Sequence, residues 1–129
     1  MLVGLRMTKT LFTIGPDDSL ADAHAILKKY GLRRLPVVQD GELVGILSEY
    51  DMQGHRLMSM DAIPVKTVMT PNPVVVTPSE TLEYAANLMT KRAIGALPVV
   101  SHGRLAGILC ASDLMIPEPR PAAKWWPHH

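Results

Sequence analysis

The chain has few of the residues that disulfide-stapled or membrane-embedded proteins need. Its 129 residues include a single cysteine, Cys110, so an internal disulfide framework is excluded and a reducing compartment is favoured. No apolar run reaches the roughly 18 residues of a membrane-spanning helix, so no membrane partner is expected. Residues 1–7 lack the apolar core of a secretion signal. We therefore expect a cytoplasmic protein.

The chain also has no large excess of positive or negative charge. Thirteen Lys and Arg against twelve Asp and Glu give a formal net charge of +1, so no large potential favours nucleic acid as a partner. Hydrophobic residues nevertheless make up 47% of the chain and charged residues 19%. This composition excludes a disordered tail and favours extensive burial or self-association, in one compact domain or two small halves that share a core.

The chain repeats itself at a constant offset of 62 residues. Residues 7–52 align without a gap on residues 69–114, with 16 identities in 46 positions, where unrelated segments would share roughly three. A period of this length indicates a duplicated small domain. We assign residues 1–62 to the first repeat (core 7–58) and 63–116 to the second, followed by a proline-rich extended tail at 117–129.

Each repeat has the pattern of a short strand, a helix, a two-stranded hairpin and a last helix. Residues 11–14 and 73–76 are rich in β-branched residues, which predicts the short strands. Ser19 begins a helix with Asp22 at the reciprocal capping position, and apolar residues follow at helical spacing. We expect the last helix of the first repeat to begin near Tyr50 and run toward Met58, and its counterpart after Asp113 to be cut short by prolines.

The hairpins complete this pattern. Asp40-Gly41 and His102-Gly103 are typical of tight turns between two strands. Neither repeat alone has enough apolar side chains for a substantial core, so we expect the two to pack face to face around one shared core.

The order of these motifs resembles a known family. Met-Thr, a proline turn, a Leu-x-x-Ala helix, Leu-Pro-Val-Val, Asp-Gly and Gly-Ile-Leu-Ser-x-x-Asp follow one another as in a cystathionine-β-synthase (CBS) domain. Two such repeats, over about residues 7–116, resemble a Bateman module. The resemblance implies a mixed α+β fold of two tandem β-α-β-β-α repeats, packed sheet to sheet with pseudo-two-fold symmetry. It also implies two clefts that bind adenosine-containing ligands, assembly as a homodimer, and regulation of another protein.

The first predicted site combines residue chemistry with this resemblance. An ionised aspartate can accept hydrogen bonds from both ribose hydroxyls, each contributing on the order of 1.5–3 kcal/mol. Asp51 follows Ser48 by three residues, where a strand turns into a helix whose amides favour anions, and Arg34 has the forked donors that suit phosphate. By the family pattern, the opposite repeat supplies the adenine side of the site through Thr70, Asn72, Ile94 and Gly95.

The second predicted site is the weaker of the two. Asp113 is retained, but Cys110 replaces Ser48 and a thiol is a weak donor. Ala96 replaces Arg34, and the hydroxyl of Ser112 is a substitute donor. By the resemblance, the base side would use four residues of the first repeat: Thr8, Thr10, Leu32 and Arg33. We expect the Asp51 cleft to bind phosphorylated adenosine better than the Asp113 cleft.

Several of these residues also have plainer interpretations. Asp51 and Asp113 suit helix caps, and Arg33 with Arg34 suits a solvated charged pair. Cys110 ends an apolar strand, which favours a buried, inert thiol over a nucleophile.

No residue is assigned a catalytic or metal-binding role. Single histidines at 24, 55 and 102 lack the spacing of metal ligands, and no paired acid and base indicate an enzyme. The tail residues Trp125–Trp126 and His128–His129 receive no role.

The sequence predicts a non-enzymatic regulatory module that binds an adenine nucleotide or S-adenosylmethionine and signals to an unidentified protein. No cofactor is required, and the pattern leaves open whether magnesium accompanies the nucleotide. The alternative is a dimerisation scaffold without a ligand.

Overall fold

The computed structural model describes residues 1–9, 12–55 and 59–115. The predictions for Thr10, Leu11, Met58 and the tail lie outside these residues. The elements are α1 (Val3–Arg6), α2 (Leu20–Tyr30), β1 (Arg34–Gln39), β2 (Glu42–Ser48), α3 (Glu49–Met52), β3 (Thr70–Pro71), α4 (Leu82–Arg92), β4 (Ala96–Ser101) and β5 (Arg104–Cys110). Short 3-10 helices cover Gln53–His55, Met60–Ala62, Val65–Thr67 and Ala111–Met115.

The two long helices, α2 and α4, confirm the helical spacing read from the sequence. Both begin with a hydroxyl cap: Ser19 Oγ accepts from the amide of Asp22 at 3.0 Å, and Thr81 caps α4 in the same way. Both end on a left-handed residue, Gly31 (φ 63°) and Ala93 (φ 54°). Capping at both ends therefore sets the same eleven-residue length in each repeat.

Two antiparallel hairpins, β1–β2 and β4–β5, confirm the predicted turns. Asp40 and Gly41 have φ values of 52° and 82°, and His102 and Gly103 have 52° and 76°. Two consecutive positive φ values are required by the tight hairpin turn whose twist matches that of the flanking strands. Strand β3 adds to the first hairpin, so the sheet orders are β1-β2-β3 and β4-β5.

Two sequence predictions about local structure are wrong. The segments predicted as strands at 11–14 and 73–76 make only single parallel bridges, Ile14 to Val37 and Val76 to Val99, within their described parts. A proline turn follows each bridge within two residues, which leaves too little chain for a ladder. The last helix of the first repeat also stops early: α3 ends at Met52, and a 3-10 turn containing Gly54, a poor helix former, follows it.

The leading segment of each repeat packs on the other half. The amide of Val3 donates to Glu80 O at 2.8 Å, and Thr8 pairs with Ile108. At the equivalent positions, the amide of Val65 donates to Asp18 O at 2.8 Å. Residues 3 and 65 are separated by the repeat offset, and both valines are fully buried, each in the core of the opposite half.

The buried residues consequently form two clusters, which corrects the expectation of one shared core. The first cluster lies between α2 and the β1–β2 hairpin and includes Leu20, Leu27 and Val65. The second lies between α4 and the β4–β5 hairpin and includes Val3 and Leu97. Each half reaches a sufficient core because the exchanged segment supplies its missing apolar side chains.

The mixed α+β fold of two related halves is confirmed. The two sheets contact each other between β2 and β5. Among the described residues, no helix combines the length and apolarity needed to cross a membrane.

The exchanged packing predicts a steric penalty at Gly107 on β5. A Cβ atom added there would overlap the carbonyl oxygen of Thr8 and approach Met7 Sδ at 3.0 Å. We expect Gly107→Ala to lower the free energy of unfolding by about 1–3 kcal/mol, the usual cost of overpacking, as measured by urea denaturation. Gly54→Ala is the control, since an added Cβ there meets no described atom within 4 Å, and we expect a change below about 1 kcal/mol. Equal effects of the two substitutions would contradict the exchanged packing.

Candidate functional site

A cavity of about 480 Å³ lies between the two halves. This volume falls within the roughly 300–1,000 Å³ typical of small-molecule sites. One wall belongs to the three-stranded sheet and the start of α3, and the other to the segment between α4 and β4. All seven residues predicted for the first site line it: Arg34, Ser48, Asp51, Thr70, Asn72, Ile94 and Gly95.

Strand register places the side chains of the sheet wall on one face. Arg34 lies directly opposite Ser48 in the β1–β2 pair, and Ile46 lies opposite Thr70 in the β2–β3 pair. Cross-strand neighbours project to the same side of a sheet, as do residues two apart on one strand. Leu47 lies between Ile46 and Ser48 on β2, so its side chain projects to the opposite face of the sheet and is buried in the core behind the cavity.

Asp51 and Ser48 hold each other by two reciprocal hydrogen bonds. The amide of Ser48 donates to Asp51 Oδ2 at 2.9 Å, and the amide of Asp51 donates to Ser48 Oγ at 3.1 Å. Ser48 is thus the N-cap of α3, and Asp51 completes the capping box from the third helical position. The box leaves Oδ1 without a hydrogen bond from the described residues and leaves the hydroxyl proton of Ser48 able to donate. Ligand contact by Asp51 therefore stays a prediction that the geometry permits.

The amides at the start of α3 contribute less to anion binding than the sequence suggested. The helix has only four residues, so its dipole is small. The amide of Asp51 is already bonded to Ser48 Oγ. Positive charge at this end of the cavity therefore depends on arginine side chains.

Arg34 lies at the boundary between the halves. Its Nη1 atom is 4.0 Å from Cys110 Sγ, and its Nη2 is 3.2 Å from the point where a Cβ atom of residue 95 would lie. A Cβ atom at residue 95 would be tight against the guanidinium, which is the movable end of a flexible side chain. Arg34 is half-buried whereas Arg33 is exposed, so the interpretation as a solvated charged pair is wrong for Arg34.

The residues predicted for the second site are only partly brought together. The amide of Cys110 donates to Asp113 Oδ2 at 2.7 Å, which repeats half of the Ser48–Asp51 arrangement. Arg6 donates to the backbone oxygen of Asp113 at 3.0 Å. Thr8 pairs with Ile108, two residues before Cys110, and Ser112 is exposed.

Two further residues of that site line a groove of their own, although the guanidinium of Arg33 is still close enough to Cys110 to lower its pKa. Leu32 and Arg33 line a separate groove of about 410 Å³ beside His24 and Lys28 on α2. None of the described second-site residues lines the 480 Å³ cavity. Thr10 lies outside the described residues.

The Cys110 thiol is half-buried, opposite Ala96 in the β4–β5 pair. Burial raises the pKa of Cys110 above its ordinary value, and the nearby Asp113 carboxylate raises it further. The guanidinium groups of Arg34 and Arg33 lower the pKa without cancelling the burial effect. A thiol with a raised pKa is protonated at neutral pH, which fits the interpretation as an inert side chain.

Sequence reasoning missed several residues that line the cavity. Ile46 lies two residues before Ser48, so strand alternation was an available signal for it. Tyr50 precedes Asp51 and is 77% exposed at the cavity. Pro73, Val74 and Ala93 come from loops whose position depends on tertiary packing, so no local signal marked them.

The family comparison agrees with this architecture. The CBS domain model matches the chain twice, over residues 3–56 and 65–116. The chain therefore belongs to the CBS-domain family, as a tandem CBS pair.

Curated relatives include short CBS proteins and large enzymes. A CBS domain-containing protein of Dictyostelium discoideum is 35% identical over 129 residues, covering 89% of each chain. YhcV of Bacillus subtilis, also a CBS domain-containing protein, is 31% identical, covering 85% of this chain and 80% of that one. The inosine-5′-monophosphate dehydrogenase of Korarchaeum cryptofilum is 33% identical over 89% of this chain, which spans only 24% of the enzyme. The match covers only its CBS region.

Two similar solved structures contain adenosine compounds. CBSX2 of Arabidopsis thaliana, solved with AMP, has a TM-score of 0.80 and 32% identity over 88% of this chain and 93% of that one. The CBS domain pair of protein MJ0100, solved with 5′-methylthioadenosine and S-adenosyl-L-methionine, has a TM-score of 0.80 and 28% identity over 89% and 93%.

The charges around Cys110 predict the direction of a change in its titration. Replacing Arg34 with alanine removes the positive charge that most lowers the pKa of Cys110, so we expect that pKa to rise further. The measurement is the pH midpoint of the iodoacetamide alkylation rate. Lys91→Ala, an exposed change on α4, is the control and should leave the midpoint where it is in the parent. A lower midpoint in Arg34→Ala would contradict the described position of the guanidinium.

Proposed function

We propose that the chain is a regulatory module that binds an adenosine-containing ligand in the cavity between its two halves. The observation that carries the proposal is the convergence of all seven residues of the first predicted site on one cavity. The complexes of similar CBS pairs with AMP and with S-adenosyl-L-methionine support the same ligand class.

Each part of such a ligand has a suitable partner in the cavity. The free Oδ1 of Asp51 accepts hydrogen bonds from the ribose hydroxyls, and Arg34 with the Ser48 hydroxyl donates to the phosphate. The base lies between Ile46 on the sheet wall and Ile94 on the opposite wall. The proposal requires no cofactor and assigns no catalytic step.

The two sites of the proposal are unequal. The phosphate end of the first combines Arg34 and Ser48, which are cross-strand neighbours. At the equivalent positions the second has Ala96 and the protonated thiol of Cys110. An anionic ligand therefore gains less in the second site, and occupancy of the first is expected to dominate.

Regulation follows from the position of the cavity. A ligand that contacts both halves favours the arrangement in which both contacts are made, and a partner protein reads that change. We also propose that the chain self-associates, that it lies in the cytoplasm and that it regulates another protein. Large apolar side chains exposed on α1 and α4, such as Leu5 (73%) and Tyr84 (50%), support a homodimer, which equilibrium sedimentation tests.

A ligand screen tests the proposed function directly. AMP, ADP, ATP and S-adenosylmethionine are each added at millimolar concentration, and the melting temperature is recorded. A ligand that binds only the folded state at 100 times its Kd stabilises it by about 2.7 kcal/mol, so we expect a rise of several degrees with at least one compound. The absence of any shift would favour the ligand-free scaffold.

The inequality of the two sites predicts different effects of two matched substitutions. Asp51→Ala should weaken nucleotide binding about ten- to a hundredfold, since each tenfold loss corresponds to about 1.4 kcal/mol. Asp113→Ala removes the carboxylate at the equivalent position, which accepts from the amide of Cys110, and should leave the tighter binding event nearly unchanged. Isothermal titration calorimetry measures both, and denaturation curves of each variant separate binding from loss of a cap worth about 1 kcal/mol. Equal losses of affinity would reject the inequality.

A further inference from the structure

The second half exposes apolar side chains at positions where the first half exposes polar ones. The exposed apolar residues are Leu5, Tyr84 and Met115. At the 62-residue offset, the first half has three exposed polar residues: Thr67, Asp22 and Gln53. The repeat framework therefore accepts polar side chains at these positions, so packing within the second half does not require the apolar ones.

The apolar side chains adjoin the start of α4. Leu2 and Leu5 are three residues apart, so they project from the same side of α1. Leu2 pairs with Thr81, the residue that caps α4, and Tyr84 lies in the first turn of that helix. We call Leu2, Leu5, Leu82 and Tyr84 the apolar face of the second half.

The first half has a covering segment at the equivalent place. There the 3-10 helix Met60–Ala62 packs on α2, and Ile63 O accepts from the amide of Leu20, which is fully buried. In the second half, the amide of Leu82 makes the same bond to Met1 O, and Leu82 is only half-buried. No 3-10 helix of the described second half corresponds to Met60–Ala62. Within the described residues, the apolar face therefore lacks the cover that its counterpart has.

The tail, residues 116–129, starts beside this face. Arg6 at the end of α1 donates to Asp113 O at 3.0 Å, so Met115, the residue before the tail, lies close to α1. Ten extended residues span roughly 33 Å, whereas α1 has four residues and is about 6 Å long. Trp125 therefore has ample chain to reach the start of α4.

The composition of the tail suits the apolar face. Both tryptophans of the chain, Trp125 and Trp126, belong to the tail, and a buried tryptophan removes about 150–250 Å² from water. Four of the tail residues are proline, which restricts the backbone and lowers the conformational entropy lost on docking. Lys124 has the charge opposite to that of Glu83, which is exposed in the first turn of α4.

We propose that the tail lies on the apolar face of the second half, with Trp125 and Trp126 against it. The tail then takes the place of the covering 3-10 helix of the first half. Because Leu5 and Tyr84 also support the proposed homodimer, the tail and a second copy compete for this face, and the tail limits self-association. The competition rests on the proposed function, whereas the docking of the tail does not.

Tryptophan fluorescence of the intact chain tests the docking, because its only tryptophans lie in the tail. In dilute protein, we expect emission at a shorter wavelength and weaker quenching by acrylamide than in the urea-unfolded chain. The double variant Leu5→Thr/Tyr84→Asp carries the residues that the first half has at these positions, and it should shift the emission to the unfolded value. Each single change should give part of the shift, which provides the same test if the double variant does not fold.

Thr67→Asp is the matched control. Thr67 is exposed at the position of the first half equivalent to Leu5, so the change alters an equivalent surface that lies outside the apolar face. The emission should stay where it is in the parent, and circular dichroism verifies that each variant is folded.

The results that would overturn the inference are distinct. Emission of the intact chain at the unfolded value would show that the tail does not dock. A shifted emission that the Leu5 and Tyr84 changes leave unaltered, or that Thr67→Asp alters as much, would mean that the tail docks elsewhere. Protection that appears only as the protein concentration rises would mean that a second copy covers the tryptophans.

The same samples separate the docking from the proposed homodimer. If the chain dimerises, the emission should move toward the unfolded value as the concentration rises, because the second copy displaces the tail; dimers without this change would contradict the competition. If the tryptophans are protected and sedimentation shows a monomer at every concentration, the docking is confirmed and the homodimer is wrong.

Discussion

The reciprocal hydrogen bonds between Ser48 and Asp51 are the constraint on which the candidate site depends. They fix a carboxylate at the point where β2 ends, with one oxygen turned to the backbone and the other left for a ligand. Strand pairing then places Arg34 opposite Ser48, so a carboxylate, a hydroxyl and a guanidinium meet at one end of the cavity. Capping and ligand contact are thus compatible roles of one side chain, because each uses a different carboxylate oxygen.

The exchange of leading segments between the two halves links the two walls of the cavity. Val3 and Val65 each complete the core of the opposite half, so neither half has its full set of buried side chains without the other repeat. The two walls of the cavity are therefore coupled through the cores behind them. A ligand that contacts both walls acts on packing that already links the halves, which is the physical requirement for a regulatory module.

Features set by neighbouring residues could be predicted from the sequence, and features set by distant packing could not. The hairpin turns at Asp40-Gly41 and His102-Gly103 depend on positive φ values that these residues accept locally. The seven residues of the first site could be predicted from the repeat and the family resemblance. Strand pairing places residues at these sequence positions next to one another in the fold. The 62-residue offset shows that Val3 and Val65 occupy equivalent positions of the two repeats. It does not show that each packs in the opposite half, because the residues that they contact are distant in the chain. Arg33 was assigned to the second cleft, and its charge does act on Cys110 there, but its place in the groove beside α2 depends on helix packing that no local pattern shows.

The most direct test of the central claim is an experimental structure of the chain with AMP bound. The account predicts the ligand between the two halves, with its ribose hydroxyls within hydrogen-bonding distance of Asp51 and its phosphate against Arg34 and Ser48. AMP bound at Asp113 in preference to Asp51, or on a surface away from both carboxylates, would contradict it.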